Sequence, residues 1–244
     1  MSKRAGLTLT IIAAQVAYIF SLRRSGLDPV DDPLLRGVVI HGPMLTIAVV
    51  GLALALQGGL FTREELGLRM PDWTMLRGRV GQVLLLVAIF VAGALIDIAG
   101  PLATMLSKGM SYEEIVDHLR RHEYRYVYGR TEPPLSVWDV GLGSIKKIVL
   151  PPLTEELPYR ALLIPILLSK MSRGWAALLS GLVFFLVHWL GYGSQPHPGY
   201  FLSGWAFAWA FMLVGLPGSI AAHAGENFGV VVLGTFAAFA RSSV

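Results

Sequence analysis

The chain has 244 residues, of which 54% are hydrophobic and only 15% charged, and its mean hydropathy is +0.60. A soluble domain carries about a quarter charged residues, so this composition excludes one and points to an all-α, polytopic membrane bundle. The net charge of +4 comes from arginine and lysine set between apolar runs, a distribution suited to lipid headgroups and not to nucleic acid. With no cysteine, disulfides, thiolate nucleophiles and cysteine-ligated metals are excluded.

A span takes about 20 mostly apolar residues. Seven stretches qualify, plus or minus one: Ala5 to Leu22, Val38 to Leu60, Val80 to Met105, Ile148 to Leu168, Trp175 to Leu190, Tyr200 to Gly215 and Ile220 to Ala240. The first ends in Ser21-Leu22-Arg23-Arg24, which offers no small-residue cleavage site, so it reads as a retained span and not a signal peptide. Short connections, Ser169 to Gly174 and Gly191 to Gly199, crowd the last four spans together as antiparallel neighbours. The chain therefore reads as one transmembrane domain, 1–244, with its catalytic core at about 148–240. Lys3, Arg4, Arg63, Arg69, Arg77, Arg79, Lys170 and Arg173 fall on the side of the N-terminus and favour an inside N-terminus. Fifteen arginines against five lysines suit a GC-rich bacterial genome, hence a multi-pass protein of the bacterial inner membrane.

The segment 107–147 is the one stretch able to build structure outside the bilayer. Ser111-Tyr112-Glu113-Glu114 matches a capping box, with Arg120 and Arg121 in the last turn as the helix dipole prefers. Tyr112, Ile115, Val116 and Leu119 share a face, so a short interfacial helix is expected to lie on the membrane as a lid or brace. Tyr124, Tyr126 and Tyr128 are then expected at headgroup depth.

Glu155 and Glu156 stand side by side in an apolar run, with Arg160 one turn on. Ionisable groups at membrane depth are tolerated when they pair or line a polar cavity, so the pair marks a candidate functional site. Pro158 allows two readings. Either the helix begins upstream at Pro151 or Pro152 and Pro158 frees the carbonyl of Thr154 beside Glu155, or the helix begins near Leu157 with Pro158 in its first turn. His188 lies one turn after Phe184, and His223 and Asn227, the only asparagine, lie four apart on one helix face. A lone histidine in a span more often hydrogen-bonds a neighbouring helix for about 1 kcal/mol. Six such groups on three of the last four spans argue for a shared purpose. Glu226 either tunes His223 or pairs with a loop arginine. Asp97, beside Gly100 and Pro101, is expected to mark a helix end near the interface. Trp189, Trp205 and Trp209 read as packing or interfacial anchors.

Glu155-Glu156-x-x-x-Arg160, Phe184-x-x-x-His188 and His223-x-x-x-Asn227, in this order on successive membrane helices, resemble the CAAX protease and bacteriocin-processing family of glutamic intramembrane endopeptidases. The segment from Glu65 to Pro71 resembles a junction of that family. The likeness runs from about Val38 onward and is strongest from Leu150 to Gly229, whereas Ala5 to Gly37 and the tyrosine-rich loop have no counterpart. The resemblance implies hydrolysis of a peptide bond without cofactor or metal. Its substrate is a membrane-associated peptide or protein tail: a prenylated CAAX tail, a bacteriocin leader or a C-terminal sorting tail. It implies Glu155 as general base with His188 polarising the water, His223 and Asn227 as oxyanion donors, and Glu156 and Arg160 as a supporting pair.

Other assignments stay open on the residues alone. Glu156 can serve as the base, or Glu155, His188 and His223 can hold a zinc ion. The same helices suit a non-catalytic scaffold or a bacteriocin-immunity factor. A proton-coupled transporter is disfavoured, since the polar motifs cluster in one half. Serine and aspartyl mechanisms are disfavoured too. Ser180-Gly181 and Ser203-Gly204 lack the preceding glycine of a Gly-x-Ser-Gly motif, and no Gly-x-Gly-Asp occurs. His122-Glu123-Tyr124-Arg125-Tyr126 reaches no second histidine, so it is no zincin motif.

Overall fold

The computed structural model describes residues 2–25, 33–68, 78–128, 136–191 and 197–240, and all regular structure among them is helical. Five stretches are long and apolar enough to cross a membrane: Lys3–Leu22, Gly37–Gln57, Arg79–Ser107, Arg173–Leu190 and Leu216–Phe239. They belong to α1 (Lys3–Arg24), α2 (Pro33–Gln57), α3 (Arg79–Ser107), α9 (Arg173–Leu186) with its continuation, and α11 (Leu216–Phe239). The other two expected spans are also helical but differ in form. α10 (Pro198–Val214) has 17 residues, and the stretch bearing the glutamates is interrupted. It consists of α7 (Leu150–Glu156), a π-helical turn (Leu157–Leu162) and α8 (Leu163–Leu168). The protein is a polytopic helical membrane bundle.

α7 starts at Leu150, so Pro158 sits inside the helical run and not in a first turn, which settles the two readings of that proline. Lacking an N–H, Pro158 leaves the Thr154 carbonyl without its i+4 donor, and Gln15 Nε2 of α1 donates to it at 3.3 Å. Pro43 inside α2 does the same to Val39, whose carbonyl accepts from the Tyr18 hydroxyl. One helix thus satisfies the carbonyls freed by prolines in two others, as buried backbone groups require.

Small residues set the helix spacing. A Cβ on Gly225 would overlap the Phe90 carbonyl oxygen, and one on Gly229 would lie 2.8 Å from that of Ala94, so α11 crosses α3 backbone to backbone. Gly204 is as tight, with Phe184 Cβ at 2.7 Å, which brings α10 against α9. Lipid gives helices no hydrophobic reason to associate, so such close approach supplies the van der Waals contact instead. Asp97 belongs to this crossing. It lies within α3 opposite Gly229, not at a helix end, because Gly100 and Pro101 are absorbed into the same helix.

Outside the spans, α4 (Tyr112–Leu119) begins with the expected capping box. Ser111 Oγ accepts from Glu114 N at 3.3 Å and Glu114 Oε2 accepts from Ser111 N at 2.7 Å. Its apolar face packs on protein: Ile115 and Leu119 are buried against Met105, Leu233 and Ala237. A π turn (Arg120–Tyr124) and α5 (Arg125–Tyr128) follow, and Tyr124 and Tyr128 are buried against Val231 and Ala238. The apolar side of α11 competes successfully for these rings, and Arg120 Nε completes the brace by donating to the Ala237 carbonyl at 3.0 Å. Tyr126 faces the other way, its ring 3.1 Å from Lys147 Nζ at the end of α6 (Val137–Ile148).

The described part of the junction, up to Leu68, ties three elements together. Glu65 bonds Arg4 at 2.7 Å, and Gly67, in the left-handed region, accepts from Leu216 N at 2.9 Å. Residues 69–71 of that junction, Arg77, part of the Gly191 to Gly199 connection and part of the tyrosine-rich loop lie outside the described residues.

Candidate active site

Adjacent residues on an α-helix point about 100° apart, so Glu155 and Glu156 at the end of α7 serve different partners although both are buried. Glu156 Oε1 accepts from His223 Nδ1 at 2.8 Å, and its Oε2 lies 3.3 Å from Arg160 Nε. Arg160, fully buried in the π turn, donates from Nη2 to the Gly204 carbonyl at 3.2 Å. Its guanidinium carbon lies 4.6 Å and 5.3 Å from the ring centres of Phe184 and Phe207. A carboxylate, a carbonyl and two π faces together make such burial tolerable. Gly204 matters here twice, since its missing Cβ lets α10 approach α9 and its carbonyl accepts from Arg160.

Glu155 faces the two histidines. His223 Nε2 lies 4.0 Å and His188 Nε2 3.7 Å from Glu155 Oε2. His188 lies in another π turn (Val187–Gly191), and its Nδ1 is 2.9 Å from the Phe184 carbonyl oxygen. A carbonyl only accepts, so Nδ1 carries the hydrogen, and in the neutral form of the ring Nε2 presents its lone pair on the side of Glu155. Aromatic neighbours fix both rings: Tyr200 stacks on His188 at 4.5 Å and Phe207 on His223 at 4.6 Å. Two of the three π-helical turns among the described residues therefore fall at this cluster, where such irregularities commonly serve function.

Glu155, Glu156, Arg160, His188 and His223 are thus brought together by direct distances. Asn227 stands one turn beyond His223 on α11, half-buried, with one amide hydrogen donated to the Lys147 carbonyl at 2.9 Å. Glu226 accepts from the Ser203 hydroxyl, so its described partner is on α10 and not a loop arginine. As for metal chemistry, two ligands of one tetrahedral zinc at about 2.0–2.1 Å stand about 3.4 Å apart. The histidine nitrogens lie farther than that from Glu155 Oε2.

Sequence reasoning missed three contributors. Phe207 and Tyr200 carry no signal beyond being aromatic. His41 does carry one: it is the lone ionisable residue of the second predicted span, and its Nδ1 lies 3.1 Å from the hydroxyl of Thr154, next to Glu155.

The model of the family described as type II CAAX prenyl endopeptidase, Rce1-like, matches residues 139–229, which span every motif residue from Glu155 to Asn227. The match bears out the resemblance to CAAX proteases over that segment. It supports a membrane-embedded protease that acts on membrane-associated protein. Neither the curated proteins nor the solved structures contain a match to the chain.

Proposed function

We propose that the protein is a glutamic-type, metal-independent intramembrane endopeptidase that cleaves a membrane-associated peptide or protein tail in the bacterial inner membrane. The observation that carries this reading is the 3.7 Å separation of His188 Nε2 from Glu155 Oε2. It is too long for a direct hydrogen bond and suits one water that donates a hydrogen to each acceptor. The water oxygen then points a lone pair away from both groups, toward a scissile carbonyl.

In this mechanism Glu155 takes a proton from the water as its oxygen bonds the carbonyl carbon, and the carbonyl π electrons move to oxygen. Glu156 fixes one proton on His223 Nδ1. A second proton on Nε2 makes that ring a donor to the oxyanion, with Glu156 balancing its charge. Asn227, one turn along the same face, offers its second amide hydrogen to the same oxygen. Collapse of the tetrahedral species breaks the C–N bond, and the proton held by Glu155 passes to the leaving amine. Arg160 holds the other Glu156 oxygen throughout.

The test is reconstitution in liposomes with prenylated tails, unlipidated leader peptides and C-terminal sorting tails, with products read by mass spectrometry. Wild-type protein is expected to cleave one class, and Glu155→Gln to cleave it at least about a hundredfold more slowly, a typical general-base contribution. Equal cleavage rates in the two proteins would move the base to Glu156, and no cleavage of any class by the wild-type protein would favour a scaffold.

A further inference from the structure

We propose that His41 is a positioning residue for Glu155, acting through the hydroxyl of Thr154, so that the N-terminal helix pair is a working part of the active site. The inference rests on the endopeptidase reading and extends it to helices outside the matched segment 139–229.

The turn that presents Glu155 is weakened by its own sequence. Pro158 removes the backbone donor to Thr154, and the π turn that begins at Leu157 shifts the hydrogen-bond register directly after Glu156. What the backbone no longer supplies comes from side chains of α1 and α2. Gln15 Nε2 donates to the Met44 carbonyl at 2.9 Å and to the Thr154 carbonyl at 3.3 Å, which joins the three helices at one amide. The Thr154 hydroxyl lies 3.0 Å from the carbonyls of both Leu150 and Pro151. It has one hydrogen, and these two carbonyls compete for it, so its lone pair faces His41 Nδ1 at 3.1 Å and Nδ1–H donates.

Gln15 and Thr154 are both fully buried, so neither water nor lipid can replace these bonds. Thr154 is thereby held from two sides, carbonyl by α1 and hydroxyl by α2, and Glu155 is the next residue. A small rotation of this turn would carry the Glu155 carboxylate away from His188 and His223, and displacements of about 1 Å at a catalytic group cost on the order of a hundredfold in rate.

The experiment compares H41L, H41N, T154V and the double variant H41L/T154V with wild type in liposomes. Asparagine can place an amide N–H where Nδ1–H stands, and leucine cannot. H41L is expected to lower kcat by about tenfold to a hundredfold with KM within about twofold, H41N to recover most of that loss, and H41L to add little on top of T154V. Hydrogen exchange at residues 153–157 reads the same turn without turnover, and should quicken in H41L but not in H41N. Wild-type kcat in H41L, equal damage in H41N and H41L, or unchanged exchange would overturn the assignment. If instead the wild-type protein cleaves none of the substrate classes, the endopeptidase reading falls, and the exchange experiment alone still decides whether His41 holds the turn.

Discussion

Glu156 Oε1 accepts a hydrogen bond from His223 Nδ1 at 2.8 Å, across 67 residues of chain. The contact makes Glu156 a bridge, with an imidazole on one oxygen and the Arg160 guanidinium on the other. The two neighbouring glutamates thus divide between a face toward the proposed water and a face that orients the groups around it.

Removing the bridge should separate stability from activity. Glu156→Ala leaves Arg160 buried without its carboxylate and is expected to cost about 3–5 kcal/mol. The double variant Glu156→Ala/Arg160→Met should regain much of that loss in thermal unfolding in detergent. It should remain inactive, because His223 still lacks an acceptor for Nδ1–H. A double variant that cleaves normally would remove Glu156 from the proposed chemistry.

The metal-free and zinc mechanisms use the same side chains and differ only in the ion. Cleavage is expected to persist after prolonged treatment with strong chelators, with no stoichiometric zinc by elemental analysis. Loss of cleavage on chelation and its return with zinc would turn Glu155, His188 and His223 into ligands.

Gly225 is a third point of leverage. A Cβ there meets the Phe90 carbonyl, which is backbone and cannot swing aside, so Gly225→Ala must push α11 from α3. The expected destabilisation is about 1–3 kcal/mol, with reduced cleavage because His223 and Asn227 ride on the same helix. Gly100→Ala, which meets nothing within 4 Å, is the control and should be neutral. Comparable melting of the two variants would show that the crossing is looser than the glycines indicate.

Glu65 gives a pH dependence outside the spans. The Thr62 backbone N–H, with Arg4 beside it, holds its carboxyl below the usual 4.5 despite some opposing burial. A depressed carboxylate stabilises the fold above its unfolded pKa, and that contribution disappears as pH falls through the folded value. Melting temperature should therefore drop below about pH 4.5 more steeply in wild type than in Glu65→Gln. The effect should be small, since exposed pairs of this kind contribute about 1 kcal/mol or less. Parallel acid limbs in the two proteins would assign the acid sensitivity to other groups.

The polar residues of the site were legible because lipid makes them costly: an acid pair, an arginine and two histidines stand out from apolar runs as they would not in a soluble protein. Their pairing was not legible. Nothing local in Glu156 indicates His223, and the i+4 arginine was the nearer partner to expect. Hydrogen-bond register is equally hidden, so Pro158 announced a disturbance without revealing that the helix widens into a π turn. Asp97 was misplaced because Gly100 and Pro101 end helices in water, whereas α3 runs through both. The loop tyrosines were placed by the habits of aromatic rings at interfaces, but α11 offered a protein surface that buries Tyr124 and Tyr128 more completely.

The widened turn from Leu157 to Leu162 has a consequence for insertions and deletions. A π turn accommodates one residue more than the α-helix around it, so the stretch takes up a residue without turning the helix beyond it. Losing Ala161 or Leu162 would restore a regular ladder and leave Leu163 and Leu167 packed around Ala176 of α9, in phase with Glu155 and Glu156. The α-helical stretches on either side have no such slack, and the same loss there would rotate everything beyond it by about 100°. The widened turn is thus where this helix absorbs a change of length at least cost to the register between the acid pair and the histidines.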